Sequence, residues 1–299
     1  MRLVEEAPAK LNLFLGVQPC IVDGKHPLTT VFTTISLHDV LTFDFMEGGS
    51  LSLDAVTLET DSSTLDIPPD ENIVMRAVQA FDEAFGLARI PALQLHISLE
   101  KRIPVQAGLG GGSSDAAATL KVLARISDIV SGIDPTTPEL LEVARRLGAD
   151  VPFFLYGACV HMGGFGDEFI ERLALPVLDL VLVKPTRGIS TAEVYRVFDE
   201  QAHETPSSDS FIAELQKGAS VQALCEAMAN NLESAAINLL SEIAVIKQRL
   251  ESSGGVIRAM LAGSGSTVFC ICENSKAAEQ IAADMLNEGY WAIATTTLA

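Results

Sequence analysis

Four glycines fall within five positions, Gly108 and Gly110 to Gly112, and Ser113, Ser114 and Asp115 follow at once. Glycine has no Cβ to block an approaching ligand, so a run of glycines lets backbone N–H groups turn toward one point. A serine at the start of a following helix can cap its first turn, and the positive end of the helix dipole faces the same spot. Together these features bind an anion, phosphate above all. The loop lacks the GK[ST] ending of a Walker A loop, and Ser113 stands where a dinucleotide fingerprint needs its third glycine. A glycine-rich turn that only lets strand and helix pack closely is the competing reading. The strand pattern before it, the helical pattern after it and the paired serines favour a ligand.

Other residues are placed for chemistry. Lys10 and Asn12 share one side of a strand pattern in APAKLNLFL, with Leu11, Leu13 and Leu15 on the other. Spacing alone equally allows an ordinary exposed strand lysine. Asp150, in LGADVPFFL, follows Gly148 and precedes Val151 and Pro152, so stiff neighbours hold its carboxylate beside an apolar run; a solvated loop aspartate is the alternative. Asn72 opens a helical pattern and suits a cap. Gly263 to Ser266 join two strand patterns and read as a tight hairpin. The five cysteines form neither an even framework nor a CxxC pair and read as buried free thiols, with Cys270 and Cys272 expected on opposite faces of a strand.

The elements that must position these groups follow from periodicity. Leu93, Leu95, Ile97 and Leu99 alternate with polar residues as a half-buried strand does, and 31–45 reads similarly. Ile73, Ala77, Phe81 and Ala84 fall at helical spacing, as do Ala116, Leu120, Leu123 and Ala124; a third helix spans 138–147 and ends at Gly148. A boundary near 155–165 divides the chain. Beyond it come a strand at 178–183, several helices between Thr191 and Leu250, the strand pair around GSGS, a helix at 275–288 and a last strand at 290–297. HETPSSDS at 203–210 reads as an exposed loop. The class is α+β with mostly antiparallel pairing.

Composition sets limits. The 299 residues are 48% hydrophobic and 20% charged, an ordinary globular balance with room for two domains. The formal charge of −19 argues against a broad nucleic-acid surface, which must neutralise phosphates, but permits a local site for one nucleotide. No apolar run reaches the ~18 residues of a membrane span, and Glu5 and Glu6 stand where a secretory signal would be apolar. A cytoplasmic protein without membrane contact is expected, as monomer or homodimer.

Three strings in order carry a family resemblance: APAKLNLFL at 7–15, PxxxGLGGGSSxAA from Pro104 to Ala117, and LAGSGSTVF at 261–269. Together they resemble the three motifs of the GHMP kinase superfamily, over nearly the whole chain. The resemblance implies a two-domain α+β fold with its active site in the interdomain cleft, residues 1–160 binding ATP and 161–299 the substrate. It implies an ATP-dependent small-molecule kinase, with phosphates on Pro104, Gly108, Leu109, Gly110, Gly111, Gly112, Ser113 and Ser114, and Asn72 near the adenine. Mg²⁺ would be held chiefly by ATP oxygens with a hydroxyl from Ser113 or Ser114, since no protein metal cage is visible. Lys10 corresponds to an essential lysine, Asp150 to the general base, and the GSGS loop to a lining of the site. DGKHPL at 23–28 and GISTAEVY at 188–195 are similar to the branch that phosphorylates a diphosphocytidyl alcohol of the non-mevalonate isoprenoid pathway. That implies acceptor contacts from Asn12, His26, Asp150, Thr191 and Tyr195, with Tyr195 against the cytosine. Lys25 departs from the pattern, which has an aromatic there. A homoserine or mevalonate type of GHMP kinase, and a nucleotide-binding regulator without catalysis, are the alternative readings.

Overall fold

The computed structural model describes residues 1–22, 24–61, 68, 71–127, 136–201 and 204–298. The chain forms two compact units, each assembled from separated stretches. The first comprises Met1–Ala9, His38–Ile103 and Gly110–Gly157; the second comprises Lys10–Leu37, Pro104–Leu109 and Ala158–Ala299. Two long strands, β1 (Arg2–Val17) and β2 (Leu28–Glu47), are neighbours in one sheet and contribute to both units.

The first unit adds β3 (Val56–Thr60), α1 (Ile73–Phe85), β4 (Ala92–Glu100), α2 (Gly111–Ile126), α3 (Pro138–Leu147) and α4 (Val151–Tyr156). Here β2 pairs antiparallel with β4, and β4 pairs parallel with β3. Leu41, Phe43 and Phe45 stand opposite Leu99, Ile97 and Leu95, and all six are buried, as the two-residue period requires. Leu93 breaks the expected alternation. A register shift between Met46 and Glu47 sets Ala92 opposite Glu47, so Ala92 takes the interior place and Leu93 is 52% exposed.

The four helices of this unit pack on one another. Val74, Ala77, Val78 and Phe81 form the buried stripe of α1 at helical spacing, while Ala116, Ala117 and Ala118 keep α2 slim enough to be buried on most sides. The apolar run after Asp150 contains a short buried helix, α4, which the sequence reading had not separated; Gly157, at φ +65, ends it.

The second unit contains β5 (Cys159–Gly163), β6 (Glu168–Arg172), β7 (Asp179–Lys184), α5 (Thr191–Asp199), α6 (Asp209–Gln216), α7 (Val221–Ala227) and β8 (Ala229–Asn230). It continues with α8 (Glu233–Leu239), α9 (Glu242–Glu251), β9 (Val256–Leu261), β10 (Val268–Cys272), α10 (Ser275–Asn287) and β11 (Trp291–Thr296). A second, antiparallel sheet runs β11-β7-β10-β9. Val181, Val183, Cys270 and Leu261 from this sheet share a core with Val194 and Phe198 of α5, Ile246 of α9 and Met285 of α10.

Two expectations change here, on the paired cysteines and on the stretch 203–210, and one holds. Cys270 and Cys272 lie on one face, their sulfurs 3.8 Å apart, because residues two apart along a strand point the same way. The GSGS turn is the expected hairpin, a four-residue loop closed by the Ala262 N–H donating to the Thr267 carbonyl at 2.9 Å. Of the stretch 203–210, His203 lies outside the described residues, Ser208 is buried, and Asp209 already opens α6. None of the described helices is long and apolar enough to cross a membrane.

Candidate active site

In the first unit the helix α2 starts directly from the glycine run. Gly110 is its N-cap, left-handed at φ +71, and no side chain caps the turn, so the cap expected of a serine falls to a glycine. The Ser114 N–H donates back to the Gly110 carbonyl at 2.9 Å. The N–H groups of Gly111, Gly112 and Ser113 therefore precede the first intrahelical bond. Ser114 is only 1% exposed, and its hydroxyl has no hydrogen-bond partner among the described residues. An orphaned hydroxyl beside open N–H groups is the donor and acceptor set that a bound phosphate and its metal would complete.

The neighbours of this turn are also predicted site residues. A Cβ built on Gly112 would lie 3.6 Å from Ile73, which places the start of α1 beside the start of α2. Asn72 caps α1, its side chain accepting from the Val74 N–H at 2.9 Å. A Cβ built on Gly148 would lie 3.9 Å from the Ser113 hydroxyl, so the turn leading to Asp150 runs along the same first turn of α2. Asp150 is half-buried at the N-cap of α4 and makes no capping bond; Pro152 stiffens the turn after it. The first unit thus gathers Asn72, Gly110 to Ser114, and Asp150.

Beneath the loop lies a buried ionic cluster that sequence pattern did not reveal. Asp39 of β2 accepts the backbone N–H groups of Arg102 and Ile103 at 2.6 and 2.8 Å through Oδ1, and a bond from Lys101 through Oδ2. Lys101 also donates to Asp115 of α2 at 2.7 Å. Burial pushes the Asp115 carboxyl up to about 8, Lys101 opposing and Asp39 adding to the shift. Burial acts to lower the Lys101 pKa, but Asp115 and Asp39 outweigh it and hold the ammonium above its usual range.

In the second unit Lys10 is only 5% exposed, so the exposed-strand alternative does not apply. Its ammonium donates to Asn12 Oδ1 at 2.8 Å and stands 4.9 Å above the Phe32 ring. Asn12 in turn donates to the Thr30 hydroxyl at 2.8 Å, which donates to the Phe14 carbonyl at 2.8 Å. Thr30 completes this chain of hydrogen bonds, and within a Thr-rich strand pattern no sequence signal singles it out.

Loops close around this lysine. A Cβ on Gly263 would meet the Lys10 ammonium and Asn12 Oδ1 at 3.2 Å, and one on Gly108, itself at φ +75, would meet the Ala262 carbonyl at 2.3 Å. Glycine is required where these backbones cross. The Lys10 N–H donates to the Leu109 carbonyl at 2.9 Å, and the Thr191 and Ser264 hydroxyls bond at 2.8 Å. Asn230 secures the same loop by donating to the carbonyls of Leu261 and Gly263 at 3.0 and 2.8 Å. Lys10, Asn12, Gly108, Leu109 and Thr191 are therefore neighbours of the GSGS loop, and Pro104 begins the segment that carries Gly108 into it.

His26 and Tyr195 form a pair of their own, with ring centroids 5.2 Å apart. His26 Nδ1 bonds the Gln18 carbonyl at 2.8 Å, which can only accept, and Nε2 lies 3.2 Å from Asp199. Nδ1 is therefore the donor to Gln18, and Nε2 can bond Asp199 only when the ring is protonated. Lys25 is exposed and its ammonium lies 5.6 Å over the Phe165 ring. Asp23, at the head of the DGKHPL string, is outside the described residues. Among the described residues no group of three or more His, Cys, Asp or Glu could hold a metal ion.

Comparison with known proteins places this geometry in context. The model of the GHMP kinases N terminal domain matches residues 72–158, and that of the GHMP kinases C terminal matches 211–290. A 4-diphosphocytidyl-2-C-methyl-D-erythritol kinase of Desulfitobacterium hafniense (strain Y51) is 36% identical over 98% of this chain and 94% of its own length. The enzyme of that name from Pelotomaculum thermopropionicum is 39% identical over 93% and 91%. A crystal structure of 4-(cytidine 5'-diphospho)-2C-methyl-D-erythritol kinase superposes with a TM-score of 0.78 at 32% identity, covering 99% of this chain and all of that one. Homoserine kinase from Cytophaga hutchinsonii superposes at 0.75 with 15% identity over 100% and 95%, a likeness of fold.

Proposed function

Because this chain belongs to the GHMP kinase family, we propose that it transfers the γ-phosphoryl group of ATP to the 2-hydroxyl of 4-diphosphocytidyl-2-C-methyl-D-erythritol, in the non-mevalonate route to isoprenoid precursors. The observation that carries the catalytic reading is the first turn of α2: open N–H groups, an orphaned buried hydroxyl on Ser114, and the Asp150 turn running alongside Ser113. Identity of 36 and 39% over nearly the full length of two relatives of that name supports the choice of acceptor.

In this reading residues 1–160 chiefly bind ATP and 161–299 chiefly the alcohol. The N–H groups at Gly110 to Ser113 receive the phosphates, and Asn72 borders the adenine. Ser113 or Ser114 would offer a hydroxyl to Mg²⁺ bound mainly through phosphate oxygens, and the metal would neutralise charge on the transferring group. Asp150 accepts the proton of the acceptor hydroxyl as its oxygen attacks phosphorus, and the Lys10 ammonium offsets the charge that develops. Asn12 holds Lys10 in place. The acceptor's cytidine end is received near Tyr195, Thr191 and His26. His26 packs beside Tyr195, its ring centroid 5.2 Å away, so it borders the same end of the acceptor.

The test is ADP release by the purified protein with no acceptor, with the cytidyl alcohol, with homoserine and with mevalonate. Release that depends on the cytidyl alcohol is expected. Release driven by homoserine or mevalonate instead would move the acceptor assignment elsewhere in the family, and nucleotide binding without acceptor-dependent release would make the protein a regulator.

A further inference from the structure

Gln106 has a left-handed backbone, φ +52, which is costly for a residue that carries a Cβ. The same loop places glycine at its next left-handed positions, Gly108 at φ +75 and Gly110 at φ +71. Glycine at 106 would relieve the strain, and strain kept where a cheaper residue fits points to a use for the side chain. That use is not internal. Gln106 is exposed, and its amide makes no hydrogen bond among the described residues.

The surroundings of the side chain are specific. A Cβ on Gly188 would stand 2.8 Å from Gln106 Oε1 and 3.0 Å from its Cβ, so glycine at 188 makes room for it. From Gly188 the chain runs through Ile189, which contacts the position a Cβ would take on Gly265, to Thr191, whose hydroxyl meets Ser264. The amide therefore lies where the segment leading into the phosphate loop meets the segment that carries Thr191 and Tyr195. An amide both donates and accepts, which matches the hydrogen-bonding capacity of a hydroxyl.

We infer that Gln106 is a specificity-determining residue whose side-chain amide hydrogen-bonds a hydroxyl of the acceptor alcohol, at the end of that molecule that reacts. The inference rests on the reading above that the acceptor lies along 188–195.

The experiment compares KM for acceptor, KM for ATP and Tm in the wild type, Gln106→Gly and Gln106→Asn, using whichever alcohol the wild type phosphorylates. Loss of one hydrogen bond to an uncharged group should raise the acceptor KM of Gln106→Gly about three- to tenfold. Its ATP KM should stay within about twofold, and its Tm should be equal or higher because the strain is gone. Gln106→Asn, which tolerates the left-handed backbone and keeps an amide one carbon shorter, should fall between the two. An unchanged acceptor KM in Gln106→Gly overturns the inference, and so do equal rises in both KM values with a lowered Tm, which mark a structural role. If the wild type uses an alcohol other than the cytidyl one, the acceptor reading fails, while Gln106 is still decided on that alcohol.

Discussion

Lys10 and Tyr195 illustrate what single residues reveal and conceal. In the sequence, Lys10 is one polar member of an alternating strand, and nothing in the alternation distinguishes a solvated lysine from a buried one. Burial comes from loops distant in the chain: Gly263 closes over its ammonium and Leu109 pairs with its backbone. A match in family motif, not periodicity, was the signal that reached it. Asn12 was legible in the same way, whereas Thr30, which completes the chain of hydrogen bonds, was not. Tyr195 packs partly on the core of its unit, with His26 beside it. If its ring stacks on the cytosine, Tyr195→Ala removes a contact of roughly 1–3 kcal/mol per base. Steady-state kinetics should then show a clear rise in the acceptor KM and little change in that for ATP. An acceptor KM equal to the wild type would remove Tyr195 from the acceptor site.

At the scale of elements, most strands and helices followed from periodicity and caps: α1 from Asn72 and its apolar stripe, α3 from Pro138 and Gly148, the strands β4 and β10 from alternation and apolar runs. What the pattern did not reveal were features set by contacts between elements. The bulge at Leu93 depends on pairing with β2, and α4 is too short and too evenly apolar to show a helical period. The glycines of the phosphate loop were visible as a group, but their separate tasks were not. Gly108 is left-handed and would drive a Cβ into the Ala262 carbonyl, whereas Gly112 lies in helical backbone, where a Cβ would meet Ile73 at an ordinary contact distance of 3.6 Å. Gly108→Ala should therefore lower stability by more than the ~1–2 kcal/mol of the conformation alone. Gly112→Ala should leave Tm equal or raise it, as alanine does in a helix, yet raise the ATP KM because its methyl group intrudes where phosphate is expected. Thermal melts and ATP titrations of the two variants check the contrast; equal losses of Tm in both would refute it.

For the whole molecule, the charge of −19 argues against a broad nucleic-acid surface, but it does not locate the charges that matter to folding. The cluster of Asp39, Lys101 and Asp115 joins residues far apart in sequence, and only the fold brings them together. Asp115 titrates near 3.8 when unperturbed and is pushed up to about 8 in the fold, so the folded protein holds a proton there that the unfolded chain releases. The stability contributed by this proton is complete below about pH 4 and is lost as pH rises through about 8. Asp115→Asn, which cannot ionise, should lack this loss, so its Tm relative to the wild type should improve steadily from pH 5 to pH 8. A difference that does not vary with pH would show that Asp115 is ionised in the fold. Phosphoryl transfer to an alcohol with Asp150 as base can be followed by isotope transfer. With saturating γ-labelled ATP and the cytidyl alcohol, the rate of label appearing on the alcohol is followed for the wild type and for Asp150→Asn, an amide of the same shape that cannot take the proton. Label is expected on the alcohol in the wild type, with a rate lower by ~10²–10⁴-fold in the variant and ATP still bound. Label passing only to water, or a variant within a few-fold of the wild type, would contradict this assignment.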